Sequence, residues 1–181
     1  MKQKPTLKQV KEIARTRLFC VEELHLEFSN GEERVYERLK AGRNGAVMIV
    51  ALNEKFEIML IREYAAGVDS YELALPKGLV EEGEDVLAAA NRELREEVGL
   101  AARKLTELKK ISLAPGYLSH RMSIVLAEDL YEAPLQGDEP EPIEVVPYPL
   151  SQIDELVMRD DFTEARSIAA LLLMEKWLGR Q

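Results

Sequence analysis

Three carboxylates, Glu93, Glu96 and Glu97, stand close together near the end of residues 78–100, GLVEEGEDVLAAANRELREEVGL. At about 100° of rotation per residue, positions i, i+3 and i+4 share one helix face, so the three acids crowd together. Like charges at this spacing destabilise a helix by roughly a few tenths of a kcal/mol, and acids near a helix C-terminus oppose its macrodipole. Something must compensate. A hard divalent cation such as Mg²⁺ would, because it takes carboxylate oxygens and shares them with a substrate's phosphates. A solvated acidic helix face is the plain alternative. Leu87, Ala90, Leu94 and Val98 form a separate apolar stripe suited to lie against a sheet, which would keep the acids away from the buried side.

The wider pattern decides between these readings. Gly78, Glu84, Arg92, Glu93, Leu94, Glu96, Glu97, Gly99 and Leu100 match every fixed position of the Nudix box, and the chain therefore resembles the Nudix hydrolases. The resemblance implies hydrolysis of a nucleoside diphosphate linked to another group, with Mg²⁺ as cofactor and Mn²⁺ as an alternative. It makes Glu93 and Glu97 the principal metal ligands, Glu96 an additional one, and the backbone carbonyl of Lys77 a further one. Arg92 would orient the acids through Glu93 and Glu84. Gly78 would allow close approach of the loop to the metals, and Gly99 would end the helix. In enzymes resembling ADP-ribose pyrophosphatases the general base is a Glu on a loop after the box. Here the acidic loop 137–142, GDEPEP, makes Glu141 the first choice and Glu139 the second. Glu72, on the strand leading into the box, is a weaker candidate for an inward-facing polar role.

Residues outside the box bear on the substrate. Pro115 stands fifteen residues after the box, where proline marks enzymes acting on ADP-ribose, and Tyr117 resembles a marker for dinucleoside polyphosphate hydrolases. Many ADP-ribose enzymes carry an arginine just after the strand ending at Tyr64, where this chain has Ala65. Arg38 and Arg62 are the basic residues expected to supply that charge. Across most of its length the chain looks like the NudE-type, ADP-compound-hydrolysing branch of the bacterial Nudix enzymes, through FSNG at 28–31, VYER at 35–38, AVMIV at 46–50, LIREYA at 60–65, YEL at 71–73, KGL at 77–79 and GDEPEP. That branch acts on ADP-ribose, NADH and short diadenosine polyphosphates and releases AMP. The rival readings are a hydrolase of longer diadenosine polyphosphates or nucleotide sugars, and a non-catalytic ligand sensor; the intact box opposes the sensor.

Composition sets outer bounds. A chain of 181 residues with 46% hydrophobic residues can bury the core of one domain with a small appended element. Its formal net charge of −9 argues against non-specific binding to nucleic acid or an anionic membrane. A single cysteine, Cys20, excludes an internal disulfide and a Cys-based zinc site, and a cytoplasmic address is expected. The residues after Lys2 and Lys4 include no apolar h-region of the kind a signal peptide carries, and no stretch is long enough to span a membrane.

These side chains need a scaffold. Residues 6–17 alternate loosely and leave their secondary structure open. Residues 18–28 read as strand, Ser29-Asn30-Gly31 as a turn favoured by Asn-Gly, and 34–39 as the return strand. This meander is too small to stand alone; by resemblance it is a homodimer element and part of the substrate pocket. The continuous apolar run 46–52 predicts a strand buried on both faces. Strands are expected at 56–61 and 71–75, the second broken by Pro76-Lys77-Gly78 and followed by the box helix. Further strands are predicted at 105–113, 122–130 and 145–148, then a helix capped by Ser151 reaching about Arg159, and another capped by Thr163 and stopped by Gly179. The order fits α/β architecture: the Nudix fold, a mixed sheet between helices (α/β/α) with a small N-terminal β-meander. The division expected is 1–42 as the N-terminal extension and dimer element, and 43–181 as the Nudix hydrolase domain. His25 and His120 read as incidental, the six Met and Trp177 as core, and Phe19 or Tyr36 as packing residues that could stack on adenine.

Overall fold

A long alternation of strands runs through the chain, interrupted by one helix in the middle and closed by short helical turns and a second long helix. The computed structural model describes residues 2–42 and 44–180; Met1, read above as core, and Arg43 in the loop before the main domain lie outside them. By its internal contacts the chain falls into two compact units, residues 1–45 with 112–121, and residues 46–111 with 122–181.

The first unit holds an antiparallel sheet of β1 (Thr6–Arg15), β2 (Cys20–Glu27) and β3 (Glu33–Leu39), in that order. Every residue of β1 is exposed. A strand wet on both faces needs no period-2 apolar pattern, which is why residues 6–17 carried no clear signal. In the β2–β3 turn Gly31 takes φ +81°, and the Asn30 side chain accepts from Glu32 N–H at 3.2 Å. Asn30 does not join Gly31 at positive φ, so the turn is not the two-residue hairpin that Asn-Gly suggested. Segment 112–121 is stitched to β3, with Leu39 N–H donating to the Tyr117 carbonyl at 2.7 Å and Ser119 N–H to the Leu39 carbonyl at 3.1 Å.

The second unit is built around β4 (Ala46–Ala51), buried at every position. It lies in a mixed sheet with β7 (Lys77–Leu79), β9 (Arg121–Glu132) and β8 (Leu100–Ser112), in the order β7-β4-β9-β8; β4 runs parallel to β9 and antiparallel to β7. A second sheet holds β5 (Glu57–Ala65) between β10 (Glu144–Pro149) and β6 (Ser70–Ala74). Successive side chains of β4 point to opposite faces. Val47, Ile49 and Ala51 join Ala89, Ala90 and Leu94 of α1 (Val86–Glu97) in one core. Met48 on the other face touches Ser167 Oγ of α3 (Ala165–Leu178) at 4.0 Å, beside buried Ala170, Leu171 and Met174. Helices on both sides of a mixed sheet give the α/β/α layering of the Nudix fold.

Several elements differ from the sequence reading. The break at Pro76-Lys77-Gly78 is itself the short strand β7, because Ala46–Met48 offers it backbone partners. The strand after the box begins at Leu100, directly after the helix, and not at 105. In place of a helix from Ser151 to about Arg159 there is a 3-10 turn, Leu150–Gln152, and a single turn α2 (Ile153–Leu156), with no side-chain cap on either; Arg159 turns aside to pair with Asp161 at 2.8 and 2.6 Å. The last helix is capped by Glu164, whose carboxylate accepts from the backbone N–H of Arg166 and Ser167. Thr163 instead donates to Glu72 at 2.9 Å, which fixes half-buried Glu72 as a tie to the approach of α3. Trp177 and Met158 are 36% and 81% exposed and are not core residues.

Candidate active site

The site is assembled where β7 meets the second half of α1. Asp85 starts the helix by accepting from the N–H of Leu87 and Ala88, and Gly99 at φ +78° ends it, its N–H donating to the Arg95 carbonyl. The apolar stripe of α1 is broader than expected and the acids are not displaced from it: Glu93 and Glu97 are 8% and 6% exposed. Glu96 is half-buried. The strand β7 brings Gly78 so close that a Cβ there would lie 2.0 Å from the Glu93 carboxyl carbon. A side chain there would push the Glu93 carboxylate out of its place.

Arg92 organises the acids. Its Nε and Nη2 donate to the two Glu84 oxygens at 2.9 and 3.0 Å, Nη1 donates to Glu93 and Glu96 at 2.8 and 2.9 Å, and Nη2 also reaches the Leu79 carbonyl at 2.9 Å. All of the guanidinium's N–H donors are thereby engaged. Glu84 is held below the usual carboxylate range by Arg92. Burial pushes Glu93 up against the opposing pull of Arg92, with Glu96 and Glu139 adding to the rise. Glu97 has no guanidinium. Burial pushes it up to about 8, resisted by the Lys77 backbone N–H that donates to it at 2.8 Å and by the Lys77 charge, and reinforced by Glu63 and Glu93.

The tail of β9 completes the site. Arg95 donates to the Ala133 carbonyl at 2.9 Å, and the N–H groups of Ala133 and Leu135 donate to the carbonyls of Gly99 and Arg95. Tied so to the end of α1, the chain carries loop 136–139 over the box. A cleft of about 630 Å³ results, lined by the box acids, Glu63, Lys77 and residues 136–139. Glu139 lies in it, half-buried, against the same Gly137 position that borders Glu96. Glu141, the first choice for a base, is exposed and absent from that lining; it accepts from the Tyr71 hydroxyl at 2.5 Å, beside a second cavity of about 270 Å³ that also includes Arg62. Arg62 pairs with Glu144 at 3.3 Å.

Arg38, Pro115 and Tyr117 belong to the first unit, where they line one cavity of about 390 Å³ with Tyr36 and Phe28. Arg38 donates twice to buried Glu22, at 2.9 and 2.7 Å, and Lys40 once at 2.7 Å. Phe19 is exposed, and Tyr36 packs near Phe28 with ring centroids 6.4 Å apart. His25 lies 2.7 Å from Glu23.

Sequence reasoning passed over Glu63, which forms an ion pair with the Lys77 ammonium at 2.7 Å, and over Tyr71. Glu63 had a signal: alternation along β5 puts it on the same side as Met59 and Ile61, an unusual register for a charge. Among the described residues no group of three or more His, Cys, Asp or Glu side chains is already set to hold a metal ion; Arg92 Nη1 sits between Glu93 and Glu96. The chemistry of the set nevertheless suits a hard cation. It offers only oxygen donors, two of them buried carboxylates of which Glu97 receives only a backbone N–H, beside a residue with no side chain.

Residues 5–38 match the NudE-type Nudix hydrolase N-terminal domain and residues 42–171 match the NUDIX domain. The ADP compounds hydrolase NudE of Escherichia coli (strain K12) is 53% identical over 179 residues, spanning 99% of this chain and 96% of that protein. An ADP-ribose pyrophosphatase of Bacillus subtilis (strain 168) is 28% identical over 172 residues, 91% of this chain and 92% of that one. A crystal structure of an ADP compounds hydrolase superposes with a TM-score of 0.93 at 52% identity, covering all of this chain and 97% of that one. The chain belongs to the Nudix hydrolase family and is an enzyme of that family, with a NudE-type N-terminal domain preceding its NUDIX domain.

Proposed function

We propose that the chain hydrolyses the diphosphate linkage of ADP-containing metabolites, namely ADP-ribose, NADH and short diadenosine polyphosphates, and releases AMP with Mg²⁺ as the cofactor and Mn²⁺ as an alternative. Enzymes of this family generally depend on a divalent metal, and the names of the relatives above support ADP-linked substrates. The observation that carries the reading is the box itself: Arg92 spends all its donors on Glu84, Glu93, Glu96 and Leu79, while buried Glu97 is left with a backbone N–H.

Glu93, Glu97, Glu96 and the Lys77 carbonyl are the groups that would hold the cation. When bound, it would neutralise phosphate charge and lower the pKa of water. The residues of the chain do the rest. Arg92 fixes the orientation of Glu93 and Glu96, and Gly78 keeps space open in front of Glu93. Glu139, half-buried in the cleft, is better placed than Glu141 to take a proton from water as it attacks phosphorus. A phosphorus–oxygen bond of the diphosphate then breaks, and AMP leaves with the electron pair on its phosphate oxygen. Arg38, Arg62, Pro115 and Tyr117 are proposed to contact the rest of the substrate.

The proposal includes a homodimer, with residues 1–42 as its element and 43–181 as the hydrolase domain. Exposed apolar side chains on the first sheet, Leu7, Val10, Ile13 and Val35, support an apolar partner surface there. A cytoplasmic setting is part of the reading and is supported by the unbridged thiol of Cys20. Incubation with Mg²⁺ and a panel of ADP-ribose, NADH, diadenosine polyphosphates and sugar nucleotides, with products identified, tests the function. AMP from the first three is the expected result. Preference for long diadenosine polyphosphates or sugar nucleotides would replace the substrate assignment, and tight binding without turnover would turn the chain into a ligand sensor.

A further inference from the structure

Apart from any cation it holds, the catalytic cleft is strongly acidic. Seven carboxylates line it against two cations, Arg92 and Lys77. A diphosphate entering such a cleft meets like charge on nearly every wall. Arg92 has no donor to give, since every N–H is bonded to the protein. Lys77 differs: its ammonium has three donors, of which one reaches Glu63 at 2.7 Å, and its side chain is 21% exposed. Its position is fixed from both sides, by the β7 pairing of Lys77 with Met48 and by its own N–H on Glu97.

We infer that the Lys77 ammonium binds a phosphate oxygen of the substrate, with Glu63 holding the side chain over the cleft until the diphosphate arrives. The inference rests on a diphosphate substrate, as proposed above, and assigns Lys77 a second part besides its backbone carbonyl. Glu63 acts through Lys77 and is a positioning residue. Because an ammonium is a compact point charge that tolerates several approach geometries, this contact suits substrates that differ beyond their shared diphosphate.

Two measurements with Mg²⁺ present test it: steady-state kinetics on ADP-ribose, and direct titration of ADP-ribose into the protein. Lys77→Met keeps the side-chain length and removes the charge. A charge-assisted hydrogen bond lost at a half-buried site should weaken binding about tenfold or more, chiefly as a raised KM. Lys77→Arg should recover most of the loss. Raising the ionic strength should narrow the gap between wild type and Lys77→Met only in part, since a half-buried charge pair is screened less than an exposed one. Glu63→Gln should raise KM less than Lys77→Met does. Equal dissociation constants for wild type and Lys77→Met would overturn the phosphate contact. Absence of turnover in the wild type, with a weakened titration in Lys77→Met, would overturn the hydrolase reading and leave the contact standing.

Discussion

Two buried carboxylates, one in each unit, show how differently this chain treats a charge removed from water. Glu22 on β2 is 4% exposed and receives three hydrogen bonds from two cations, Arg38 and Lys40, which hold it below the usual carboxylate range. Glu97 at the end of α1 is 6% exposed and receives one backbone N–H; burial pushes it up to about 8. Burying an ion is costly unless partners compensate. The first unit supplies them from its own side chains. The second leaves Glu97 undercompensated at a position proposed to hold a cation, and the ammonium of Lys77 is turned to Glu63.

The largest effect should come from removing the undercompensated acid. Glu97→Gln, nearly isosteric, should lower kcat/KM by at least about a hundredfold, as loss of a preorganised charge at the reacting centre does. Near-wild-type kinetics with Mg²⁺ would remove Glu97 from the ligand set. Next comes the loop. Glu139→Gln should reduce kcat by about tenfold to a thousandfold with little change in KM, in keeping with loss of a general base. Glu141→Gln should cost less, because that carboxylate is engaged with Tyr71. The reverse ranking would restore Glu141 as the base.

The smallest effects are on stability, and they have opposite signs. With metal chelated, Glu97 has a folded pKa of about 8 against 4.5. Its contribution to stability is fully present below 4.5 and lost as pH rises through about 8. Glu22 has a lowered folded pKa, so its contribution is present above 4.5 and lost as pH falls through the lowered value. Melting temperatures of chelated protein should therefore show Glu97→Gln gaining on wild type as pH rises toward 8. Glu22→Gln should melt below wild type at neutral pH, with the gap closing in acid. Parallel pH profiles for both variants would erase the contrast.

The sequence was most informative where function constrains residue type directly. Gly78, Arg92 and the three acids stand where the box pattern places them, and the fully apolar run of β4 announced a strand buried on both faces. Burial of Glu93 and Glu97 was not legible, because helical periodicity gives a face and not its surroundings; the short strand β7 closes over that face only after pairing with Ala46–Met48. The placement of Glu139 and Glu141 was equally hidden: Arg95 ties down the chain that carries Glu139 into the cleft, and Tyr71 holds Glu141 outside its lining, both through contacts across long sequence separations. At the termini of helices the candidates were close but local competition chose otherwise. Thr163 and Glu164 are adjacent, and the longer carboxylate reaches the N–H groups while the hydroxyl turns to Glu72.

The central claim is that the undercompensated Glu97 serves a cation. Titration of Mn²⁺ into the protein, followed by electron paramagnetic resonance, tests it most directly. Wild type should bind with an affinity that falls as pH drops below about 8, where Glu97 takes up a proton, and Glu97→Gln should bind at least about tenfold more weakly. Equal affinity in the two proteins across that pH range would contradict the account.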